Sequence, residues 1–236
     1  MKNVIVCSSC STANPSFEYI CKNCNSFIRS RVYNIDLWKT TGLLVESPKI
    51  AFTEIVFSEH KNFVVFILLL VAAKLLIDIR FISLLTVGDY HVTTSLLFSY
   101  LIVVGVLSLI LLFYSFLVKF VLHSYNIETR FRDNLAVLIY SLIPHVFGII
   151  FLFILEVVVF GDYLFSVNPT PFVIKGLIAY LFLGAEILII FWSVFLSFSA
   201  IRVQTGSIIM SILGTLIFYL ILAPILYFSS LIIFQL

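Results

Sequence analysis

The sequence predicts an all-α integral membrane helical bundle of about five transmembrane helices, led by a small N-terminal β ribbon. Two observations predict it. Of 236 residues, 62% are hydrophobic and only 11% are charged, with a mean hydropathy of +1.18, whereas soluble domains run at roughly 45–50% apolar and about 25% charged. The four cysteines, moreover, all fall in the first two dozen residues, ahead of every long apolar stretch. A soluble fold of this length has too little interior for so much apolar surface, so lipid is the expected solvent. The net charge of +2 is small and scattered, which argues against a nucleic-acid partner.

The ribbon comes first. Val4–Val6 is too short for the apolar core of a signal peptide and runs straight into cysteines. Cys7, Cys10, Cys21 and Cys24 read C-x2-C, ten residues, C-x2-C. Two residues between thiolates let one tight turn bring both sulfurs to a metal, and two such turns complete a tetrahedron at about 2.3 Å per bond. Phe17–Ile20 and Phe27–Tyr33 are the expected strands. A head of residues 1–33 cannot build a sufficient core alone, so structural Zn2+ would supply its folding free energy. A rubredoxin-like iron site uses the same ligands. Two disulfides would need an oxidising compartment, and a redox pair would need a βαβ setting that is absent. Ser11 and Asn25 stand where zinc knuckles often carry glycine, and Asn tolerates the left-handed backbone better than Ser. With four sulfur ligands no position is left for substrate, which makes the zinc ribbon structural.

Residues 34–61 form an expected interfacial bridge. Leu37, Trp38, Leu43 and Leu44 suit the headgroup level, and Ser47-Pro48 reads as an N-cap followed by proline at the first helical position. Ile50, Phe52, Ile55 and Val56 then alternate with Lys49, Glu54 and Glu59 in a loosely helical pattern. The other reading is a helix packed on the head or on loops.

Residues 62–236 are the membrane domain. A crossing helix needs about 20 mostly apolar residues, and five stretches qualify: about 63–85, 93–122, 135–160, 172–201 and 207–234. Lys and Arg set the orientation. Lys2, Lys22, Arg29, Arg31, Lys39, Lys49, Lys61, Lys119, Arg130, Arg132 and Arg202 fall on one side, against Arg80 and Lys175 on the other. The N-terminus is therefore expected in the cytoplasm and, with an odd count, the C-terminus outside.

Charges inside a span cost about 2.5–3.5 kcal/mol each on insertion scales and are usually paired or functional. Lys74 and Asp78 lie four apart in the first span, on one helix face. Glu186 lies at a similar depth in the fourth, so a Lys74–Glu186 bridge is expected, structural or part of an ion path. Glu156 reads as a residue near the outer interface. Gly88-Asp89-Tyr90 and Gly161-Asp162-Tyr163 follow the first and third spans, as two interfacial turns or the trace of a duplicated hairpin. His60, His91, His123 and His145 have no ligand spacing, and no catalytic motif is present, so the chain does not read as an enzyme.

Several stretches together resemble the Yip1 family of five-span membrane proteins. They are Leu37-Trp38 through Ser47-Pro48-Lys49-Ile50-Ala51-Phe52; Phe131-Arg132-Asp133-Asn134-Leu135 with Tyr140-Ser141-Leu142-Ile143-Pro144; and Phe191-Trp192-Ser193 with Ala200-Ile201-Arg202. Ile139 replaces the family's usual glycine, and the eukaryotic D-L-Y-G-P motif is absent, so Rab-GTPase binding and Golgi traffic are not carried over. The resemblance covers about residues 34–236; bacterial members often carry an N-terminal zinc ribbon. It implies a non-enzymatic scaffold or adaptor of the cytoplasmic (inner) membrane. Its expected partners are the lipid bilayer and a membrane or cytoplasmic protein, with self-association allowed. The alternative is a transporter or channel component using Lys74, Asp78 and Glu186.

Overall fold

The structure, a computed structural model, describes residues 4–15, 17–29, 33–86, 95–166 and 168–234. The chain divides into two compact units. The first comprises residues 1–64, 111–140 and 196–216; the second comprises 65–110, 141–195 and 217–236.

In the first unit, strands β1 (Val4–Val6) and β2 (Ala13–Pro15) pair antiparallel, with Ile5 opposite Asn14. This corrects the expected strands. The β-branched run before Cys7 makes the ladder, whereas Ile20 and Phe27 form only an isolated bridge around the second cysteine pair. Beyond that bridge the chain is drawn off by other contacts: Arg29 lies 3.5 Å over the Phe57 ring. Ser30 to Val32 of the expected second strand lie outside the described residues. Helices α1 (Leu37–Glu46) and α2 (Pro48–Phe57) follow. Asp36 caps α1 by accepting from the Lys39 amide at 2.8 Å, and Pro48 occupies the first turn of α2, where its missing N–H costs nothing. Leu44, Phe52, Ile55 and Val56 are buried, while Trp38 is 83% exposed. Much of the apolar pattern expected at the headgroups thus faces protein, with Trp38 left outward.

The same unit holds the end of α4 (Leu96–Ser124), α5 (Phe131–Ser141) up to Tyr140, the end of α9 (Gly176–Thr205) and the start of α10 (Ile208–Phe234). Polar groups bind these helices from within. Tyr114 Oη donates to the Gly214 carbonyl at 2.5 Å. A Cβ on Gly214 would stand 3.1 Å from Ile201 Cδ1, so glycine permits that approach. The buried Asn134 donates to the Ser115 carbonyl at 3.3 Å and accepts from Gln204 Nε2 at 2.8 Å.

The second unit contains nearly all of α3 (Val64–Thr86), the first half of α4 and a broken helical run: α6 (Ile143–Phe147), a π turn Gly148–Leu152, α7 (Phe153–Phe160) and a 3-10 turn Gly161–Phe165. Short α8 (Pro171–Ile174), the first part of α9 and the last part of α10 complete it. Pro144 has no amide to continue the ladder, the His145 amide turns to the Leu142 carbonyl at 3.0 Å, and the Ser141 carbonyl accepts instead from the Ser193 hydroxyl at 3.0 Å. Ser193 Oγ in turn accepts from Tyr219 Oη at 2.9 Å. Gly161, at φ +54°, ends α7 in a backbone conformation that few L-residues adopt.

Among the described residues four helical stretches are long and apolar enough to cross a membrane: Leu96–Ser124, Phe131–Phe165, Gly176–Thr205 and Ile208–Ile233. Their outward residues are apolar, Leu109, Phe120, Leu177, Leu188 and Leu220 among them, while Ser115, Ser193, Ser197 and Ser211 are buried. Apolar outside and small polar inside is the arrangement hydrocarbon selects. Helix α3 has 23 residues, about 34 Å at 1.5 Å each, but carries Lys74, Asp78 and Arg80. The Gly88-Asp89-Tyr90 half of the suspected hairpin repeat, with His91, lies outside the described residues.

Candidate metal centre and intramembrane charge cluster

The two C-x2-C turns are built alike. The Ser11 amide donates to the Cys7 carbonyl at 3.0 Å and the Asn25 amide to the Cys21 carbonyl at 3.1 Å. The Cys7 amide donates to Thr12 O at 3.0 Å and the Cys21 amide to Ser26 O at 2.9 Å. Ser11 and Asn25 both take φ +55°, so the left-handed turn is made without glycine at either place. These matched turns bring the four Sγ atoms within 4.8 Å of one another. Cys7 and Cys24 sulfurs are 3.7 Å apart, and those of Cys10 and Cys21 are 3.4 Å apart. A tetrahedron with bonds of about 2.3 Å has sulfurs about 3.8 Å apart, so the cluster has the dimensions of a four-thiolate metal site.

Two residues that sequence reasoning passed over support the cluster. Asn14, buried in β2, donates to Cys21 Sγ at 3.5 Å and accepts from the Lys22 amide at 3.0 Å, tying the first knuckle to the second. Ser26 Oγ lies 3.2 Å from Cys7 Sγ and 3.0 Å from Cys24 Sγ. Its hydrogen bond, with backbone N–H groups of the turn, lowers the Cys7 thiol to about 6, which favours the thiolate a metal needs. A polar side chain right after a C-x2-C turn was the available signal for Ser26.

The head is fastened to the helices of its own unit. Tyr19 Oη donates to the Phe57 carbonyl, Arg29 stacks on the Phe57 ring, and the Arg130 guanidinium lies 4.8 Å over Phe17. Arg130 also donates to the Val56 carbonyl at 3.1 Å and to Asp133 at 2.7 Å. Lys61 pairs with the other Asp133 oxygen at 2.9 Å and donates to carbonyls 55, 56 and 58 at the end of α2. Burial there, only partly offset by Asp133, pulls Lys61 down to about 8.

In the second unit the charged residues of α3 and α9 converge. Lys74, fully buried, places Nζ 2.5 Å from Asp78 Oδ1 and 2.5 Å from Glu186 Oε1. Gly148 makes room for it: a Cβ there would lie 2.8 Å from Lys74 Cε. His145, also buried, has Nδ1 3.8 Å from the other Asp78 oxygen. Glu156, which the sequence places toward the outer interface, is 3% exposed and lines a cavity of ≈180 Å³ together with Asp78 and Glu186. The 3-10 turn after Phe160 buries Leu164 beside Phe160 and Ala179, and Leu164 lines the same cavity.

Compared with models of known protein families, with curated proteins and with solved structures, the chain has no match in any of the three.

Proposed function

We propose that the chain is a non-enzymatic scaffold or adaptor of the cytoplasmic membrane, a bacterial-type relative of the Yip1 family whose cytoplasmic zinc ribbon meets protein partners. The observation that carries this reading is the cysteine cluster. Four converging sulfurs saturate a tetrahedral ion, so the metal stiffens the head and takes no substrate. Cys7, Cys10, Cys21 and Cys24 would hold Zn2+, and the contacts of Tyr19 and Arg29 with Phe57 present the head as one piece with α2. A surface held rigid loses little entropy when a partner docks.

In this reading α3 is a fifth span, its Lys74 and Asp78 paired with each other and Lys74 also with Glu186. The excess of Lys and Arg on the N-terminal side puts the ribbon in the cytoplasm and the end of α10 outside. The test is crosslinking of intact and Cys24→Ser protein in native membranes, with zinc measured in both. A partner captured by the zinc-loaded form and lost with the metal supports the proposal. Identical capture by the metal-free form overturns it.

The buried charge cluster favours a second reading, a transporter or channel component. Solute flux in proteoliposomes separates the two: robust flux abolished by Glu186→Gln replaces the adaptor with the transporter.

A further inference from the structure

The cavity in the second unit has a charge imbalance. Three carboxylates, Asp78, Glu156 and Glu186, line it, and one ammonium, Lys74, is bonded to the first and last of them. His145 is the other basic group there, and its ring faces Asp78 rather than lining the cavity. Glu156 stands apart: its carboxyl is buried, and its Oε2 has no hydrogen-bond partner among the described residues. A buried acid left without a donor is costly, and Glu156 lines an open space that a donor can enter.

The rest of the wall says what kind of donor. Apart from the three acids and Thr170 it is hydrocarbon, with the rings of Phe160, Phe172 and Phe182 contributing. A metal ion needs oxygen ligands over most of its coordination sphere, and two of the three acids here are already bonded to Lys74. An ammonium carried on hydrocarbon is satisfied twice, by the acid at one end and by apolar contact and ring faces along the other. As to size, an apolar cavity of about 150 Å³ takes up benzene, so ≈180 Å³ accommodates one ring with a short aminoalkyl arm. We propose that the cavity bounded by Asp78, Glu156 and Glu186 binds a small lipophilic organic cation, with Glu156 as the acceptor of its ammonium group. The inference is independent of the adaptor reading, since binding requires neither a partner nor transport.

The experiment titrates the full-length, metal-loaded protein in nanodiscs with phenethylammonium chloride, its neutral counterpart 2-phenylethanol, and sodium chloride. Calorimetry and the thermal midpoint are the readouts. Saturable binding of the amine, and not of the alcohol or sodium, is expected. Glu156→Gln weakens amine binding by about 10- to 100-fold, the worth of one charge-assisted hydrogen bond, and leaves the Lys74 pairs in place. Should that variant fold poorly, Ala179→Leu fills the cavity from its wall and is expected to abolish amine binding. Equal binding of amine and alcohol, binding of sodium alone, no saturable amine binding, or unchanged amine affinity in both variants each overturns the proposal.

Discussion

Replacing Lys74 by Met is the sharpest test of how the second unit tolerates its charges. Both carboxylates lie 2.5 Å from the same Nζ, so the two oxygens stand within about 5 Å of each other. Methionine fills similar space and removes the charge between them. At an effective dielectric of about 20, like charges about 5 Å apart repel by about 3 kcal/mol, which agrees with the roughly 3–5 kcal/mol for breaking a buried ion pair from one side. The expected outcome is a loss of about 3 kcal/mol, read by equilibrium unfolding in mixed micelles. Adding Glu186→Gln removes the repulsion, and the double variant is expected to recover most of the loss. A Lys74→Met protein as stable as the parent, or a double variant no better than the single, would refute the electrostatic account of this cluster.

Three further outcomes are expected. Asn14→Ala removes a donor to Cys21 and should lower metal affinity by about 10–100-fold, as loss of supporting hydrogen bonds does at other metal sites, measured by chelator competition with cobalt as the spectroscopic ion. Gly148→Ala pushes a methyl toward Lys74 Cε, whose ammonium two carboxylates hold in place, and should cost about 1–3 kcal/mol by overpacking; combined with Lys74→Ala the penalty of the extra methyl should fall, leaving the contact with Ile189 Cδ1 at 3.0 Å. Lys61 gives up its proton near 8 in the folded protein but only near 10.5 unfolded. Between those values the unfolded chain binds the extra proton, so stability should rise with pH. Unfolding of the parent against Lys61→Met across that window checks the sign, and a parent that loses ground to the variant contradicts it.

The helices and the cysteine cluster were legible because each leaves a one-dimensional signature. Hydropathy marks helix ends to within a few residues, and two C-x2-C pairs imply a common centre whatever the chain does between them. Lys74 and Asp78 were legible as neighbours because an i, i+4 spacing is a property of the helix itself. What the sequence conceals is anything fixed by chain reversal. The cavity beside Glu156 is lined by Leu164 of the turn after Gly161 and by residues of α9, neither of which its own helix announces. Gly148 reads as one more apolar-helix glycine until Lys74 is found beside it. The strand pair was misplaced for a similar reason: Val4–Val6 has the β-branched composition, but only the geometry of the first turn shows that the chain before Cys7 runs back along Ala13–Pro15.

Arg130 touches Phe17 of the ribbon, the last turn of α2 and Asp133 in the first turn of α5. Tension applied to the N-terminal head would therefore not dissipate along a slack tether; it would be delivered, through Arg130 together with Lys61 on the same Asp133, to the start of a membrane-embedded rod. Whatever grips the ribbon has a mechanical handle on that rod.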